Sequence, residues 1–298
     1  MIRLLTLTTA LALPLSAAAQ DDWRAKFPEV VFGVGTGENA QSAAERWGHF
    51  GTYLQGCLGV DKVTVRVASD YSAIIESQAQ GDTHLTWTGP AGYATGWDIS
   101  GGDVEPVAMD VSKDGDLGYR WVIVVKADSP YQTMDDLKGK SLGWPSPTSA
   151  SGYVLPMQYF RENGMVDKDN NPIFFGDMVQ TGSHDNSLVS VVQGKVDAAT
   201  NWYYSPNAGS HTRAAGAGTI KLEDIRFIFE SDIVPNAPFV AIKSLPEPMK
   251  KAMSACIINM PWADPEAFAK VAKDTFGGFA FATHEMYEEF IKIRMATK

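Results

Sequence analysis

Residues 62–89 read KVTVRVASDYSAIIESQAQGDTHLTWTG, and this stretch decides the fold. Its apolar runs predict strands at 62–68 and 83–89, and the intervening SAIIESQAQ has the spacing of a helix. A strand, a helix and a second strand in this order form a βαβ unit, whose strands lie parallel. The chain is therefore expected to contain an α/β sheet that is covered by helices.

The same alternation continues in both directions along the chain. EVVFGVG (29–35) precedes a predicted helix at about 40–57, and a short helix is expected at 90–97. PFVAI (238–242) comes late enough to return to this first group of strands. A second group of predicted strands comprises YRWVIVVK (119–126), KSLGW (140–144), VDAAT (196–200) and IRFIFES (225–231), with a helix after Ser151. We therefore predict two α/β lobes, with a ligand cleft beyond the carboxyl ends of their strands.

The N-terminus has the pattern of a secretory signal. Arg3 precedes an apolar run that ends in Ala17-Ala18-Ala19, which is typical of a cleavable signal peptide. We expect the signal to cover residues 1–19 and the mature protein to reside in the periplasm. The net charge of -10 argues against a nucleic-acid partner. Because bulk charge does not attract an anion here, any anion must be held by local donors.

Two cysteines, Cys57 and Cys256, are the only ones in the chain. In an oxidising compartment they fit a single disulfide that closes a long loop. Two buried free thiols fit equally well, because spacing along a chain does not fix geometry.

The sequence offers little support for catalysis. GVGTGEN has Glu38 where a dinucleotide fingerprint needs its third glycine, and no G-x-S-x-G motif occurs. The five histidines lack the spacing of metal ligands. We therefore expect no cofactor and no metal. An exported hydrolase that combines His184 with a serine is the alternative.

Hydroxyl groups cluster at one predicted helix start, in PSPTSASGYVLPMQYF (145–160). Thr148, Ser149 and Ser151 precede an apolar-periodic run, where one hydroxyl is enough for an ordinary helix cap. Exposed N–H groups at such a start also suit a bound anion. His184 lies in another loop at a predicted helix start, TGSHDN (181–186), where its imidazole can donate to a ligand oxygen.

Several short motifs occur in the order seen in periplasmic phosphonate/phosphite-type binding proteins of ABC importers, which the chain resembles over nearly its whole mature length. The motifs are SDYSAIIE (69–76), WTG (87–89), Gly118-Tyr119, the S-x-S-G-Y of 149–153, GSHDNSL (182–188) and VDAATN (196–201).

The resemblance implies a type II periplasmic binding protein, an α/β fold with two lobes, a cleft between them and hinge crossings. The first lobe is expected to comprise residues 20–121 and 236–298, and the second residues 122–235. The resemblance further implies that the protein is a monomer without catalytic activity, which captures a small phosphorus oxyanion and passes it to an ABC transporter permease in the inner membrane. Presentation of the ligand to a membrane kinase is an alternative use of the same fold.

The resemblance also implies which residues bind the ligand. Tyr119 and Asn201 belong to the matching motifs, and Trp202 and Tyr204 are expected as cleft walls. The positions that match the family's oxyanion-binding residues are Tyr71, Thr88, Ser149, Ala150, Ser151 and His184.

Two departures from the family pattern bear on the ligand. Ala150 replaces a usual threonine, so one hydroxyl is missing. Tyr204 and Ala237 occupy the positions where relatives that take aminoalkylphosphonates have acidic residues, so a ligand ammonium would lose its partners. We therefore expect phosphite, phosphate or a phosphonate without a primary amine. A quaternary ammonium that is caged by Trp202, Tyr203 and Tyr204 is the alternative.

Overall fold

A computed structural model describes residues 22–35, 40–68, 71–273 and 275–296. The signal peptide predicted at residues 1–19 lies outside the described residues. Within them, no helix is both long and apolar enough to cross a membrane.

The described residues form thirteen strands and ten α-helices. The strands are β1 (Glu29–Gly35), β2 (Lys62–Ala68), β3 (Leu85–Trp87), β4 (Val104–Ser112), β5 (Gly118–Lys126), β6 (Ser141–Trp144), β7 (Asp177–Gln180), β8 (Ala198–Ser205), β9 (Ala208–Gly209), β10 (Ile225–Glu230), β11 (Val234–Pro235), β12 (Pro238–Ile242) and β13 (Phe276–Ala280). The helices are α1 (Trp23–Lys26), α2 (Ala40–Leu58), α3 (Tyr71–Ala79), α4 (Pro90–Ile99), α5 (Leu155–Glu162), α6 (His184–Val192), α7 (Ser210–Gly216), α8 (Glu247–Ala263), α9 (Pro265–Ala272) and α10 (Glu288–Ala296).

The first sheet has the order β13-β4-β12-β3-β1-β2. β1 lies between β2 and β3 and is parallel to both, as the βαβ pattern predicts. β12 pairs antiparallel with both β3 and β4, which confirms that PFVAI returns to this sheet. We call this sheet with its helices the first lobe.

The second sheet has the order β10-β5-β8-β6-β7, with β11 paired to β5 and β9 paired to β8. We call this sheet with its helices the second lobe. The expected lobe boundary between residues 121 and 122 falls inside β5. Among the residues that the structure describes, this strand pairs with β8, β10 and β11 of the second sheet, so the chain crosses between the sheets in residues 113–117 and again near 236–237.

The two cysteines are bonded to each other and join two helices of the first lobe. Cys57 on α2 and Cys256 on α8 form a disulfide across 199 residues of chain. This bond ties the part of the first lobe before the crossing to the part that follows the return. The sequence had left the disulfide and free thiols open, and the structure has the disulfide.

The lobes pack against each other at the start of α5. Ala150, from the second lobe, belongs to the same buried cluster as Ala91, Tyr93 and Val240 of the first lobe. The chain segments that flank the predicted hydroxyl cluster are therefore held at the interface between the lobes, where the candidate site is found.

Candidate ligand-binding site

A cavity of about 80 Å³ lies between the two lobes. A single buried water needs only about 10–15 Å³, so the cavity has room for several non-hydrogen atoms of a ligand. Strand ends and helix starts from both sheets contribute to its wall. Eight of the ten predicted site residues line it, namely Tyr71, Tyr119, Ser149, Ala150, Ser151, His184, Trp202 and Tyr204.

The other two predicted site residues, Thr88 and Asn201, lie behind the wall. Asn201 is completely buried, and its side-chain amide donates to the backbone carbonyl of His184 at 3.1 Å. Thr88 is buried next to Gly92, and its Oγ1 has no hydrogen-bond partner within the described part of the chain. Asn201 faces away because residues of a strand alternate in direction, which leaves Trp202 and Tyr204 on the cavity side.

The hydroxyl cluster forms one end of the cavity, which we call the oxyanion end. Ser149 caps a π-helical turn (Ala150–Val154) that continues into α5, and its Oγ accepts from the Gly152 N–H at 3.1 Å. A glycine is needed at 152, because a Cβ atom there would lie 2.1 Å from Pro145 Cγ. Helix starts present N–H groups and a positive potential, which favour an anion.

His184 is the first residue of α6 and belongs to the same end. Its Nε2 lies 3.1 Å from Ser149 Oγ. Its Nδ1 is buried and has no hydrogen-bond partner among the residues that the structure describes. Burial, together with the nearby Arg213 guanidinium, lowers the pKa of His184 to about 3. The imidazole is therefore neutral at pH 7, and when Ser149 donates to Nε2, Nδ1 carries a proton that it can donate to a ligand.

The distance of 3.1 Å between Ser149 Oγ and His184 Nε2 would also fit a nucleophile and its general base. The surroundings of the two residues, however, favour ligand binding over catalysis. Ser149 Oγ is committed to capping Gly152. A base in such a pair is normally oriented by a third group, and Nδ1 has no such partner among the described residues. A histidine whose pKa is about 3 is also a weak general base at pH 7.

The first lobe completes the oxyanion end. Tyr71 is the first residue of α3, and Gly89 and Pro90 lie where β3 leads into α4. Tyr119, at the start of β5 in the second lobe, also lines this end near Ser151, and burial raises the pKa of its phenol. Neutral donors from both lobes therefore meet around one centre.

The opposite end of the cavity contains charged groups that the sequence did not reveal. We call it the substituent end. Asp110 on β4 is completely buried and accepts hydrogen bonds from Tyr204 Oη at 2.6 Å and Trp87 Nε1 at 3.2 Å. Burial raises the pKa of the Asp110 carboxyl to about 6, although both hydrogen bonds and the nearby Arg46 oppose this shift.

Two arginines also contribute to the wall. Arg46 on α2 is buried, donates from Nε to the Val271 carbonyl at 2.6 Å, and lies over the Phe276 ring. Arg213 on α7 lies over the Trp202 indole and pairs with Asp185 at 2.9 Å. The sequence analysis missed Arg46; helical spacing is a signal that could have indicated its burial, because it shares the buried face of α2 with Ala43 and Phe50.

The aromatic residues divide between the cavity and the core. Trp202 and Tyr204 line the cavity as predicted, and Trp87 and Phe276 join them. Tyr203 does not, since it is buried in the second lobe against Phe227 and His211. The predicted cage of three successive aromatic residues is therefore wrong, because adjacent residues of β8 point to opposite faces.

An acidic group nevertheless lies close to the two positions at which the relatives' acidic residues are missing. Tyr204 and Ala237 do occupy the cavity wall, but a carboxylate from another strand stands beside both. The Tyr204 hydroxyl donates to Asp110 Oδ2, and the Asp110 N–H donates to the Ala237 carbonyl at 3.3 Å. The acidic group therefore comes from β4 instead of from the expected positions.

Known proteins share this sequence pattern. The phosphonates-binding periplasmic protein of Escherichia coli (strain K12) is 30% identical over 233 residues, which cover 76% of this chain and 65% of that protein. The phosphate-import protein PhnD of Mycolicibacterium smegmatis is 24% identical over 216 residues, which cover 70% of this chain and 66% of that protein. The chain thus aligns with slightly less than two thirds of each of these curated relatives.

Solved structures confirm the predicted two-lobe, type II binding-protein fold. The binding protein component of a phosphonate ABC transporter from Pseudomonas aeruginosa superimposes with a TM-score of 0.77 at 21% identity, covering 91% of this chain and 86% of that chain. PhnD1 from Prochlorococcus marinus, solved with methylphosphonate, gives 0.73 at 17% identity, covering 91% and 99%. A family model described as "ABC transporter, phosphonate, periplasmic substrate-binding protein" matches residues 32–287. The chain therefore belongs to the family of periplasmic phosphonate-type substrate-binding proteins of ABC transporters.

Proposed function

We propose that this protein is the solute-binding component of an ABC importer and captures a small phosphorus oxyanion between its lobes. The observation that carries the proposal is the convergence of Ser149, Ser151 and His184 from the second lobe and Tyr71 from the first on one cavity. These groups supply neutral donors for several oxygens of one anion. The names of the two curated relatives, a phosphonate-binding and a phosphate-import protein, agree with this chemistry.

Capture requires no acid or base. Hydroxyl, imidazole and backbone N–H donors replace the water around the oxyanion, and in a closed, drier cleft each such bond is stronger than in water. Only the closed arrangement lets both lobes reach the ligand, so binding favours closure. A net charge of -10 gives no bulk attraction for an anion, so affinity rests on these local donors.

Other features follow from the same role. The N-terminal signal pattern directs export, and the mature protein works as a periplasmic monomer that delivers its ligand to a membrane permease. We expect no turnover of phosphoesters or phosphonates, because the Ser149–His184 pair lacks an orienting third group within the described residues.

Isothermal titration with methylphosphonate, phosphite, phosphate and sulfate tests the proposal. We expect at least one phosphorus oxyanion to bind more tightly than sulfate. Ser149→Ala and His184→Ala should each weaken that binding about tenfold or more, because the hydrogen bond between the two residues sets the donor that the pair offers to a charged ligand, and either substitution disrupts it.

Two matched variants serve as controls. Ser190→Ala on α6 and His49→Ala on α2 alter partly exposed side chains that do not line the cavity, so they should bind like the wild type. Melting curves establish that all four variants fold. Equal affinity in all four variants and the wild type would exclude this cavity as the binding site.

A further inference from the structure

The Asp110 carboxyl is an unfavourable neighbour for the anion that the cavity is proposed to take. It is completely buried and lines the same cavity as Ser149 and His184. Because the cavity measures only about 80 Å³, a bound oxyanion lies within a few ångströms of its wall. At such a distance, in a site that excludes water, an ionised carboxylate repels an anion. Binding of the oxyanion therefore favours the neutral form of Asp110.

A hydrogen bond between the two lobes connects Asp110 to Tyr204. The Tyr204 hydroxyl, from β8 of the second lobe, donates to Asp110 Oδ2 at 2.6 Å, and Trp87 Nε1 donates to Oδ1 at 3.2 Å. An ionised carboxylate only accepts hydrogen bonds, so the phenolic proton points to Asp110. In this state Tyr204 lines the cavity but has no proton to donate to an anion.

One proton on Asp110 reverses the direction of this hydrogen bond. A proton on Oδ2 is donated to Tyr204 Oη, which frees the phenolic proton for a ligand oxygen, while Oδ1 still accepts from Trp87. The proton comes from the solvent, and one O–H bond forms on the carboxyl. Burial and the adjacent carboxylate raise the pKa of Tyr204 well above its ordinary value, so the phenol keeps its own proton. Protonation of Asp110 thus removes a negative charge from the wall and adds a donor to it.

The two arginines of the wall do not replace this proton. Arg46 interacts with Asp110 and lowers its pKa, but burial outweighs this effect and raises the pKa to about 6. Arg213 interacts with His184 and pairs with Asp185 at 2.9 Å. The Asp110 carboxyl therefore takes up a proton at a pH only slightly below neutral even before an anion enters.

The other ionisable groups that interact with Asp110 keep their protonation states between pH 5 and pH 8. Burial raises the pKa of three neighbouring phenols, and the Arg46 guanidinium stays charged. These phenols belong to Tyr119, Tyr204 and Tyr287. His184, with a pKa of about 3, stays neutral in the same range. A proton that the site takes up in this range is therefore assigned to Asp110.

We propose that Asp110 is a positioning residue that couples ligand capture to proton uptake: when an oxyanion enters the cavity, the carboxyl takes up one proton and turns the Tyr204 hydroxyl into a donor towards the ligand. The inference rests on the proposed function and deepens it, because it adds a donor at the substituent end and makes affinity depend on pH. The ligand is neither protonated nor deprotonated by the protein, so capture still requires no acid–base chemistry on the ligand.

The direction of the pH dependence follows from linkage. An anion beside Asp110 raises the pKa of the carboxyl above the value of about 6 that it has in the empty cavity, so the bound form holds more protons. Affinity should therefore rise as the pH falls from 8 towards 6, and this gain should level off at lower pH, where Asp110 is already protonated in the empty protein.

Isothermal titration with methylphosphonate at pH 5, 6, 7 and 8 tests the inference on the wild type and Asp110→Asn. The asparagine amide donates to Tyr204 Oη and its carbonyl accepts from Trp87, so the variant imitates the protonated carboxyl at every pH. At pH 8 it should bind about tenfold more tightly than the wild type, and at pH 5 the two should bind alike. The ionisation of methylphosphonate is common to both proteins and cancels in this ratio.

Two further variants complete the series. Tyr204→Phe lacks the hydroxyl that donates to the ligand, so at pH 5 it should bind about tenfold more weakly than the wild type. Asp114→Asn is the matched control, because Asp114 is exposed, accepts from Ser205 Oγ at 2.6 Å and does not line the cavity. It should keep the wild-type pH profile. Melting curves establish that the variants fold.

A measurement on the wild type alone keeps the inference testable if Asp110→Asn does not fold. Infrared difference spectra at pH 7 should show a protonated carboxyl band that grows when methylphosphonate binds. Absence of this band, or a wild-type to Asp110→Asn affinity ratio that is constant from pH 8 to pH 5, overturns the inference and leaves the proposed function intact. Wild-type affinity of Tyr204→Phe at pH 5 overturns the donor role of Tyr204. Failure to bind methylphosphonate, phosphite or phosphate at any pH overturns the proposed function as well.

Discussion

The two ends of the cavity are built by different means. The oxyanion end consists of helix starts and neutral side chains, with Ser149 as a cap and His184 as a neutral imidazole. The substituent end contains the buried Asp110 carboxyl, the Arg46 guanidinium and aromatic rings that belong mainly to strands. The difference teaches that one cavity can combine dipoles and neutral donors, which suit an anion, with fixed charges at its other end. Mutations at the two ends should therefore differ in their effects.

The largest expected effect comes from placing a negative charge at the oxyanion end. Ser149→Asp keeps a good helix cap but puts a carboxylate against the ligand oxygens, so affinity for every phosphonate should fall more than about 100-fold. Ser149→Asn has nearly the same shape without the charge and should lose about tenfold or less. Titration of both variants with methylphosphonate checks this. If the two variants bind alike, the oxygens lie elsewhere.

The Asp110 carboxyl at the substituent end should make the free energy of unfolding depend on pH. The pKa of Asp110 is about 6 in the folded protein, above the ordinary value of 3.8. Such a group contributes stability that is present at low pH and is lost as the pH rises through the folded value. Between pH 8 and pH 5 the wild type should therefore gain about 1–2 kcal/mol of unfolding free energy relative to Asp110→Asn.

Denaturant unfolding of the ligand-free proteins across this pH range measures that gain. The ionisable groups that interact with Asp110 are Tyr204, Tyr119, Tyr287 and Arg46. Burial raises the pKa of all three phenols, so none of the four groups exchanges a proton between pH 5 and pH 8. A difference in unfolding free energy that stays constant with pH would show that the Asp110 carboxyl is ionised throughout the range.

A small gain is expected from restoring a hydroxyl at the oxyanion end. Ala150 lines the cavity at the start of the π-helical turn, and Ala150→Ser adds one donor there. Affinity for methylphosphonate should rise about two- to tenfold, because the added hydroxyl can donate to the ligand oxygens. Isothermal titration of the variant and the wild type with methylphosphonate measures the gain. An unchanged affinity would mean that a side chain at position 150 does not reach the ligand oxygens.

The oxyanion end was predictable because its signals are local. Hydroxyls before a helix start, and a histidine in such a loop, are visible within a few residues of sequence. Asp110 was not predictable, since it reads as a polar residue inside a strand and its partner Tyr204 lies 94 residues further along the chain. Arg46 likewise donates to a carbonyl that is 225 residues away.

The difference between local sequence signals and long-range contacts also explains why some strands were not predicted. β1, β2 and β12 are apolar runs, and they were predicted with the bounds that the structure has. β4 contains Pro106, β7 is mostly exposed and polar, and β13 contains two glycines. Proline, glycine and exposed polar residues disfavour strands. The formation of β4, β7 and β13 therefore depends on pairing with neighbouring strands, which local sequence patterns do not identify.

The path of the chain through the two sheets has a consequence for the order of folding. All strands of the second sheet come from one continuous segment, whereas the first sheet needs β12 and β13 from the end of the chain. As the polypeptide emerges from N to C, the second sheet can therefore assemble while the first still lacks the strand that joins β3 to β4. Oxidation of Cys57 then waits for α8, so disulfide formation would report the completion of the molecule.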